Sequence, residues 1–256
     1  DLRSYLNFNR CKMKLNKKIK YLLSIILSII ILTFLGFIIW TSDTYKPSNE
    51  LFNTISVDEY SKEESFYVFY PKQNNKNVGI VLYPGALVEP LSYSYYANEL
   101  SKEGYLVAIA DVNFNLSILD NNKASKFIKM KADIEKWYVG GHSMGGVSAA
   151  MFAENNQDIV KGVIFLGSYP ASSSDLSDND IEVLSIYAEN DGLTTIDNIE
   201  ESKENLPAEA VFKEIDGGNH AQFGVYGDQS GDNEPEISWE EQQKEMIKIT
   251  LEFLEK

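Results

Sequence analysis

The feature that most constrains this chain is a serine set between glycines, in the run Gly-His-Ser-Met-Gly-Gly from Gly141 to Gly146. A β-prone run of residues 137–139 precedes it, and helix-forming alanines follow. The pattern predicts a strand, a sharp turn and a helix, with Ser143 in a strained backbone conformation at the carboxyl end of a parallel strand. Glycine is expected at 141 and 145 because any side chain there would collide with the neighbouring chain.

Strands and helices alternate along most of the chain after residue 64. Two continuous apolar runs, 78–83 and 105–110, are typical of strands buried on both faces of a sheet. Further strands are predicted at 53–57, 65–70, 159–166, 181–188 and 210–215, and helices at 92–103, 123–136, 144–154 and 239–255. This alternation predicts an α/β fold with a mostly parallel central sheet and helices on both faces.

Twenty consecutive residues without a charge run from Tyr21 to Trp40, which is long enough to cross a bilayer as a helix. Its few hydroxyl residues do not form a polar stripe along the helix. The basic residues ahead of it favour a cytoplasmic N-terminus, with the rest of the chain on the other side of the membrane. No small-x-small cleavage site follows the run, so we expect a single-pass, uncleaved anchor in the cell membrane and an extracytoplasmic domain.

The chain is therefore predicted to have four parts: a basic cytoplasmic N-terminus (1–20), a transmembrane anchor or uncleaved signal (21–40), a tether with a first edge strand (41–64) and one α/β domain (65–256). The net charge is −15 for the whole chain and +6 for residues 1–20, which leaves −21 for the remainder. Such an acidic domain repels nucleic acid and anionic headgroups. The single cysteine, Cys11, precedes the apolar run, so the domain forms no internal disulfide.

A serine nucleophile needs a base within hydrogen-bond reach, and the chain has only two histidines. His142 lies inside the turn, where its backbone position directs its side chain away from the serine. His220 follows the last predicted strand in a glycine-rich loop, at the end of the sheet where ligand clefts of open α/β sheets form. We therefore expect His220 to act as the general base for Ser143.

An acid that orients the base should leave the preceding strand. Asp191 follows that strand and is itself followed by glycine, a pair that suits a tight turn. Glu189 is the competing carboxylate, two residues earlier. The order of nucleophile, acid and base along the chain favours a functional role for an acid here. Gly192 permits the tight turn that would aim the short side chain of Asp191 back across the strand ends, which favours Asp191 over Glu189.

Together these motifs resemble the α/β-hydrolase superfamily over about residues 65–256. The run Tyr-Pro-Gly-Ala from Tyr83 to Ala86, the segment 113–116 and the run Gly-Gly-Asn-His-Ala-Gln-Phe-Gly are similar to those of compact bacterial members related to dienelactone hydrolases. Those relatives use a cysteine where this chain has Ser143, so lactone hydrolysis does not carry over. Only fourteen residues separate Leu166 from Ile181, which is too few for a helical lid.

The resemblance also implies an oxyanion hole. In the superfamily it combines the amide after the nucleophile, here Met144, with one from the loop after the third strand, here the turn at Gly85 and Ala86. Either Ala86 or Leu87 could supply the second amide, and Ala86 is the expected donor. Glu89 follows this turn and is interpreted as a solvated loop carboxylate.

The leading hypothesis is a serine hydrolase that cleaves a carboxylic ester or related acyl bond of a small-molecule substrate through an acyl-enzyme on Ser143. The alternatives are an envelope acyltransferase with the same three residues and a non-catalytic binding domain. No cofactor, metal or nucleic-acid partner is expected, and the sequence indicates no oligomeric state. The membrane contact is assigned to residues 21–40.

The topology makes a testable prediction, because it rests on basic residues before an uncharged run. Protease added to intact cells should remove the domain after Trp40, while a cytoplasmic marker protein stays whole. Immunoblotting of the domain before and after lysis measures this. Protection until lysis would instead mean a cytoplasmic domain.

Overall fold

The structure is a computed structural model that describes residues 17–55 and 59–256. The predictions that concern residues 1–16, including Cys11, lie outside the described residues. The chain divides into two compact units, Asp1–Trp40 and Thr41–Lys256.

The first unit consists, in its described part, of the helix α1 (Lys17–Ser42), which ends two residues into the second unit. Its side chains from Lys17 to Trp40 are largely exposed, and the helix is long and apolar enough to cross a membrane. The hydroxyl of Thr33 donates to the carbonyls of Ile29 and Ile30, so this polar group is satisfied within the helix itself. Length and composition thus agree with the predicted span.

The second unit is built on an eight-stranded sheet with the strand order β1-β2-β4-β3-β5-β6-β7-β8. The strands are β1 (Ser61–Glu63), β2 (Phe66–Phe69), β3 (Val78–Tyr83), β4 (Leu106–Ala110), β5 (Lys136–His142), β6 (Val160–Leu166), β7 (Glu182–Ala188) and β8 (Val211–Ile215). The pairs β1·β2 and β2·β4 are antiparallel, and the other five pairs are parallel. The mostly parallel sheet predicted from the sequence is confirmed.

Helices cover both faces of this sheet. The helices of the second unit are α2 (Asn49–Thr54), α3 (Ser94–Lys102), α4 (Lys123–Met130), α5 (Met144–Glu154), α6 (Ile196–Ser202) and α7 (Trp239–Leu254). Successive strand side chains point to opposite faces, so Val81 joins one hydrophobic cluster with α4 and α5, while Ile80 joins another with α3 and α7. The sheet is therefore buried on both sides, as continuous apolar strands require.

The prediction was wrong in two places. The strand expected at 53–57 is not found in its described part, because α2 covers residues 53 and 54; residues 56–58 lie outside the described residues. Ser48 caps α2 by accepting from the amide of Leu51, whose side chain is fully buried, and these two contacts outweigh the alternating pattern. The helix expected at 123–136 ends at Met130, before β5 begins. The first strand of the chain, at one edge of the sheet, is instead β1.

The turn between β5 and α5 is where the fold positions the candidate nucleophile. A Cβ on Gly145 would lie 2.0 Å from the carbonyl oxygen of Tyr83, and one on Gly141 would lie 2.3 Å from the carbonyl carbon of Gly145. Real Cβ atoms do not approach backbone atoms this closely, so β3, β5 and the start of α5 meet only through glycine. The predicted reason for both glycines is confirmed.

This contact predicts the effect of Gly145→Ala. The methyl group would force α5 away from the carboxyl end of β3, so we expect the free energy of unfolding to fall by about 3 kcal/mol. Gly227→Ala is a matched control: its Cβ would meet open space, and only its left-handed φ of +84° is unfavourable, at about 1 kcal/mol. Denaturant unfolding of the full chain in detergent measures both, and equal losses would exclude the contact as the cause.

Candidate active site

Ser143 lies between β5 and α5 with φ 51° and ψ −124°, a conformation that non-glycine residues rarely adopt. Its amide donates to the carbonyl of Leu166, at 3.2 Å, and its carbonyl accepts from the buried hydroxyl of Ser168, at 2.6 Å. These two bonds hold the strained residue to the end of β6. The serine itself is only half-buried, and the loop 167–181 contains no helix that could cover it.

Asp191 and His220 form a fully buried pair. Nδ1 of His220 is 2.8 Å from Oδ2 of Asp191, and both side chains are completely inaccessible to solvent. The other oxygen, Oδ1, accepts from the amides of Leu193 and Thr194 at 2.8 and 2.6 Å. A buried carboxylate is costly unless its lone pairs are occupied, and here the tight turn after β7 supplies the donors.

The competing carboxylate, Glu189, is exposed, and its hydrogen bond is to the backbone rather than to His220. Its Oε2 accepts from the amide of Gly217 at 2.9 Å, so it supports the start of the loop that carries His220. Of the two carboxylates considered from the sequence, only Asp191 is hydrogen-bonded to the imidazole. The structure therefore brings Asp191 and His220 together and leaves Glu189 outside the pair.

The remaining ring nitrogen of His220, Nε2, is buried and has no hydrogen-bond partner among the described residues. Ser143 and His220 are thus not joined by a hydrogen bond in this conformation. Catalytic hydrogen bonds are often long or poorly aligned before a substrate is bound.

His142 is closer to this pair than the sequence suggested. Its ring lies 4.4 Å from that of His220, centroid to centroid, and is almost fully buried. A hydrogen bond of 2.8 Å joins its Nδ1 to the hydroxyl of Tyr93, which also accepts from the amide of Gly85 at 3.0 Å. Burial and the neighbouring His220 hold the pKa of His142 well below its usual range. His142 is therefore neutral at pH 7 and connects the nucleophile turn to the turn after β3.

Asp232 is a site residue that sequence reasoning missed. Its Oδ1 accepts from the amides of Gly192 and His220 at 3.0 and 3.3 Å, and its Oδ2 accepts from the amide of Ala221 at 2.8 Å. One carboxylate thus holds the loop of the acid against the loop of the base. An acidic loop residue has no pattern of its own, so only the contacts identify it.

The two amides considered for the turn after β3 differ in their surroundings. The amide of Leu87 donates to the carbonyl of Asn115 at 2.8 Å, whereas that of Ala86 has no acceptor among the described residues. Met144 is the first residue of α5, and a helix leaves the amide of its first residue without an intrahelical partner. Of the three amides considered from the sequence, that of Leu87 is engaged, and those of Ala86 and Met144 have no backbone acceptor among the described residues.

Comparison with curated proteins found cutinases. Residues of this chain are 25% identical to cutinase est2 of Thermobifida alba over 169 residues, which cover 60% of this chain and 56% of the cutinase. They are also 25% identical to cutinase 2 of Thermobifida cellulosilytica over 105 residues, 36% of this chain and 40% of the cutinase. The chain thus spans about half the length of the curated relatives it matches.

Solved structures share the fold. A predicted CIB-like hydrolase from Thermoplasma acidophilum superposes with a TM-score of 0.57 at 19% identity, covering 77% of this chain and 96% of the other. An alpha/beta hydrolase enzyme from a sediment metagenome of the Mar Chica lagoon, Morocco, gives a TM-score of 0.59 at 17% identity, covering 77% and 97%.

The family itself is established over most of the second unit. A sequence profile described as "Alpha/beta hydrolase family" matches residues 79–244, a range that begins in β3, includes the turn at Ser143 and the Asp191–His220 pair, and ends in α7. With this match and the parallel sheet described above, the chain belongs to the alpha/beta hydrolase family.

Proposed function

We propose that this protein is a serine hydrolase that cleaves carboxylic esters through an acyl-enzyme on Ser143. The observation that carries the proposal is the buried hydrogen bond between Asp191 and His220, whose ring lies 4.4 Å from that of His142, the residue before the strained Ser143. A carboxylate in this position fixes the imidazole tautomer and leaves Nε2 free to accept a proton. This is the only buried imidazole–carboxylate pair among the described residues, and its arrangement supports a role in proton transfer.

In the proposed reaction, Nε2 of His220 takes the proton of Ser143 as Oγ attacks the acyl carbon. Asp191 stabilises the resulting imidazolium, which then gives the proton to the departing alkoxide. A water molecule, deprotonated by His220, attacks the acyl carbon of the acyl-enzyme, and the carboxylic acid leaves as Ser143 regains its proton. We assign no proton-transfer step to His142, because its Nδ1 is joined to the hydroxyl of Tyr93 and its lowered pKa makes it a weak base.

We assign the oxyanion hole to the amides of Met144 and Ala86. The hole requires two donors about 3 Å from the developing oxyanion. The engaged amide of Leu87 and the open amide of Ala86 support this choice between the two residues considered from the sequence.

The substrate class rests on the relatives. Cutinases are among the similar proteins, which supports an ester rather than another acyl bond. The absence of a helix in the loop 167–181 suits an accessible site. We further propose that α1 anchors the enzyme in the membrane, with the second unit outside the cell, as the sequence predicts.

The first test is labelling by a fluorophosphonate, which reacts with activated serines. Ser143→Ala should abolish labelling and lower kcat on aryl esters by at least about 10³, since the nucleophile is lost. Ser172→Ala is the control, because Ser172 is exposed in the loop after β6 and should label like the wild type. Labelling that persists at another serine in Ser143→Ala would refute the assignment, and a panel of aryl esters of increasing acyl length would define the acyl preference.

The second test compares the two carboxylates. In Asp191→Asn the amide NH₂ faces Nδ1 and favours the tautomer with a proton on Nε2, which cannot accept one from Ser143. We expect kcat to fall at least about a hundredfold with KM little changed. Glu189→Gln should cost less than about tenfold, because Glu189 only accepts from Gly217.

Steady-state kinetics on one aryl ester, with thermal unfolding of each variant, measures the comparison. The opposite ranking, with Glu189→Gln the slower enzyme, would transfer the acid role to Glu189. Equal small losses of kcat in both variants would show that neither of these two carboxylates is needed to orient His220.

A further inference from the structure

Residues 43–55, which we call the tether segment, follow the apolar helix and lie within the range 41–64, for which the sequence predicts a tether and a first edge strand. In the structure the segment is packed into the second unit. Leu51 is fully buried and Ile55 is 6% exposed, and both belong to a small hydrophobic cluster with Val225. A flexible linker would bury neither, so this part of the chain has a fixed position.

The tether segment is hydrogen-bonded to the turn after β3. The amide of Tyr45 donates to the carbonyl of Leu87 at 2.8 Å, and the amide of Glu89 donates to the carbonyl of Tyr45 at 2.9 Å, which forms a parallel bridge. The hydroxyl of Thr44 also donates to Oε1 of Glu89 at 2.8 Å. Two consecutive residues of the tether segment, Thr44 and Tyr45, are thus hydrogen-bonded to the turn that carries the amide of Ala86.

This turn needs such support because Leu87 has a φ of +57°. A left-handed conformation costs a residue with a side chain roughly 1–2 kcal/mol, and it persists only where the surroundings determine it. Both backbone groups of Leu87 are engaged: its amide donates to Asn115 and its carbonyl accepts from Tyr45. Without the second bond, only the contact with Asn115 opposes relaxation of Leu87 towards an ordinary conformation, and such a relaxation would move the neighbouring Ala86.

The same segment also contacts the loop that follows His220. The amide of Ser48 donates to the carbonyl of Val225 at 2.8 Å, and the ring of Tyr45 packs on that of Tyr226 at 5.6 Å. Tyr226 in turn lies 6.3 Å from the ring of His142. The tether segment therefore joins the turn after β3 to the loop of the base.

We infer that the tether segment is a positioning element of the active site, which holds the turn of Leu87 so that the amide of Ala86 faces the oxyanion. The inference rests on the proposed function, since it assigns a role within the same oxyanion hole. The tether segment acts through Ala86 and touches no reacting atom. Its loss should therefore weaken transition-state binding more than substrate binding.

The test is Tyr45→Pro in the full chain, with Tyr45→Ala as the matched control. Proline removes the amide hydrogen that donates to Leu87, whereas alanine removes the ring and keeps that amide. Losing a whole oxyanion donor typically costs 10²–10³ in rate, so for a misplaced donor we expect kcat of Tyr45→Pro to be at least about tenfold below that of Tyr45→Ala, with KM within about threefold.

A trifluoromethyl ketone separates this role from a structural one. Ser143 Oγ adds to the ketone carbon, its proton passes to His220, and the ketone oxygen becomes the oxyanion. In Tyr45→Pro the inhibition constant should rise by the same factor as kcat/KM falls, because both report binding of the oxyanion. A fall in kcat with an unchanged inhibition constant would overturn the inference, as would kcat equal to that of Tyr45→Ala.

Thr44→Val provides the milder variant, and it decides the question if the proline variant does not fold. It removes only the hydroxyl that donates to Glu89, so we expect kcat and inhibitor affinity to fall together by about threefold to tenfold. Unchanged values would then overturn the inference. A wild-type enzyme that is not labelled at Ser143 would instead refute the proposed function, so the two failures are distinguishable.

Discussion

The close approach of three backbone segments beneath Ser143 is the constraint on which the rest of the site depends. Gly141 lets β5 approach the backbone of Gly145, and Gly145 lets α5 approach the carbonyl of Tyr83, at distances that exclude any side chain. This contact turns the chain sharply enough to leave Ser143 with a positive φ and a half-buried position. Strain of this kind persists because the surrounding sheet, with Ser168 bonded to the serine carbonyl, over-determines the geometry.

A second requirement is the satisfaction of a buried carboxylate. Asp191 is inaccessible to solvent, and its two oxygens accept from His220 and from the amides of the turn that follows. Asp232 then holds that turn to the backbone of His220 and Ala221. Because every partner is a directional hydrogen bond, the acid and the base have little freedom to move apart.

All the residues assigned to catalysis leave the carboxyl ends of parallel strands. Ala86 follows β3, Ser143 follows β5, Asp191 follows β7 and His220 follows β8. Parallel strands end on one edge of the sheet, so loops far apart in sequence meet there on a rigid support. The tether segment adds a contact from outside the sheet, to the turn of Leu87 and to the loop after the base.

The sequence by itself determined the mostly parallel sheet, the turn at Ser143 and the three loops that carry the candidate residues. The spacing of apolar residues, the glycines of the turn and the ends of the strands are all signals that neighbouring residues carry. The sequence favoured Asp191 over Glu189, but it did not determine the choice between Ala86 and Leu87 or the positions of His142 and Asp232. Those depend on which groups meet across loops that are distant in sequence. The burial of Leu51 against Val225, a tertiary contact, adds to the local cap at Ser48 and produces a helix where alternation predicted a strand.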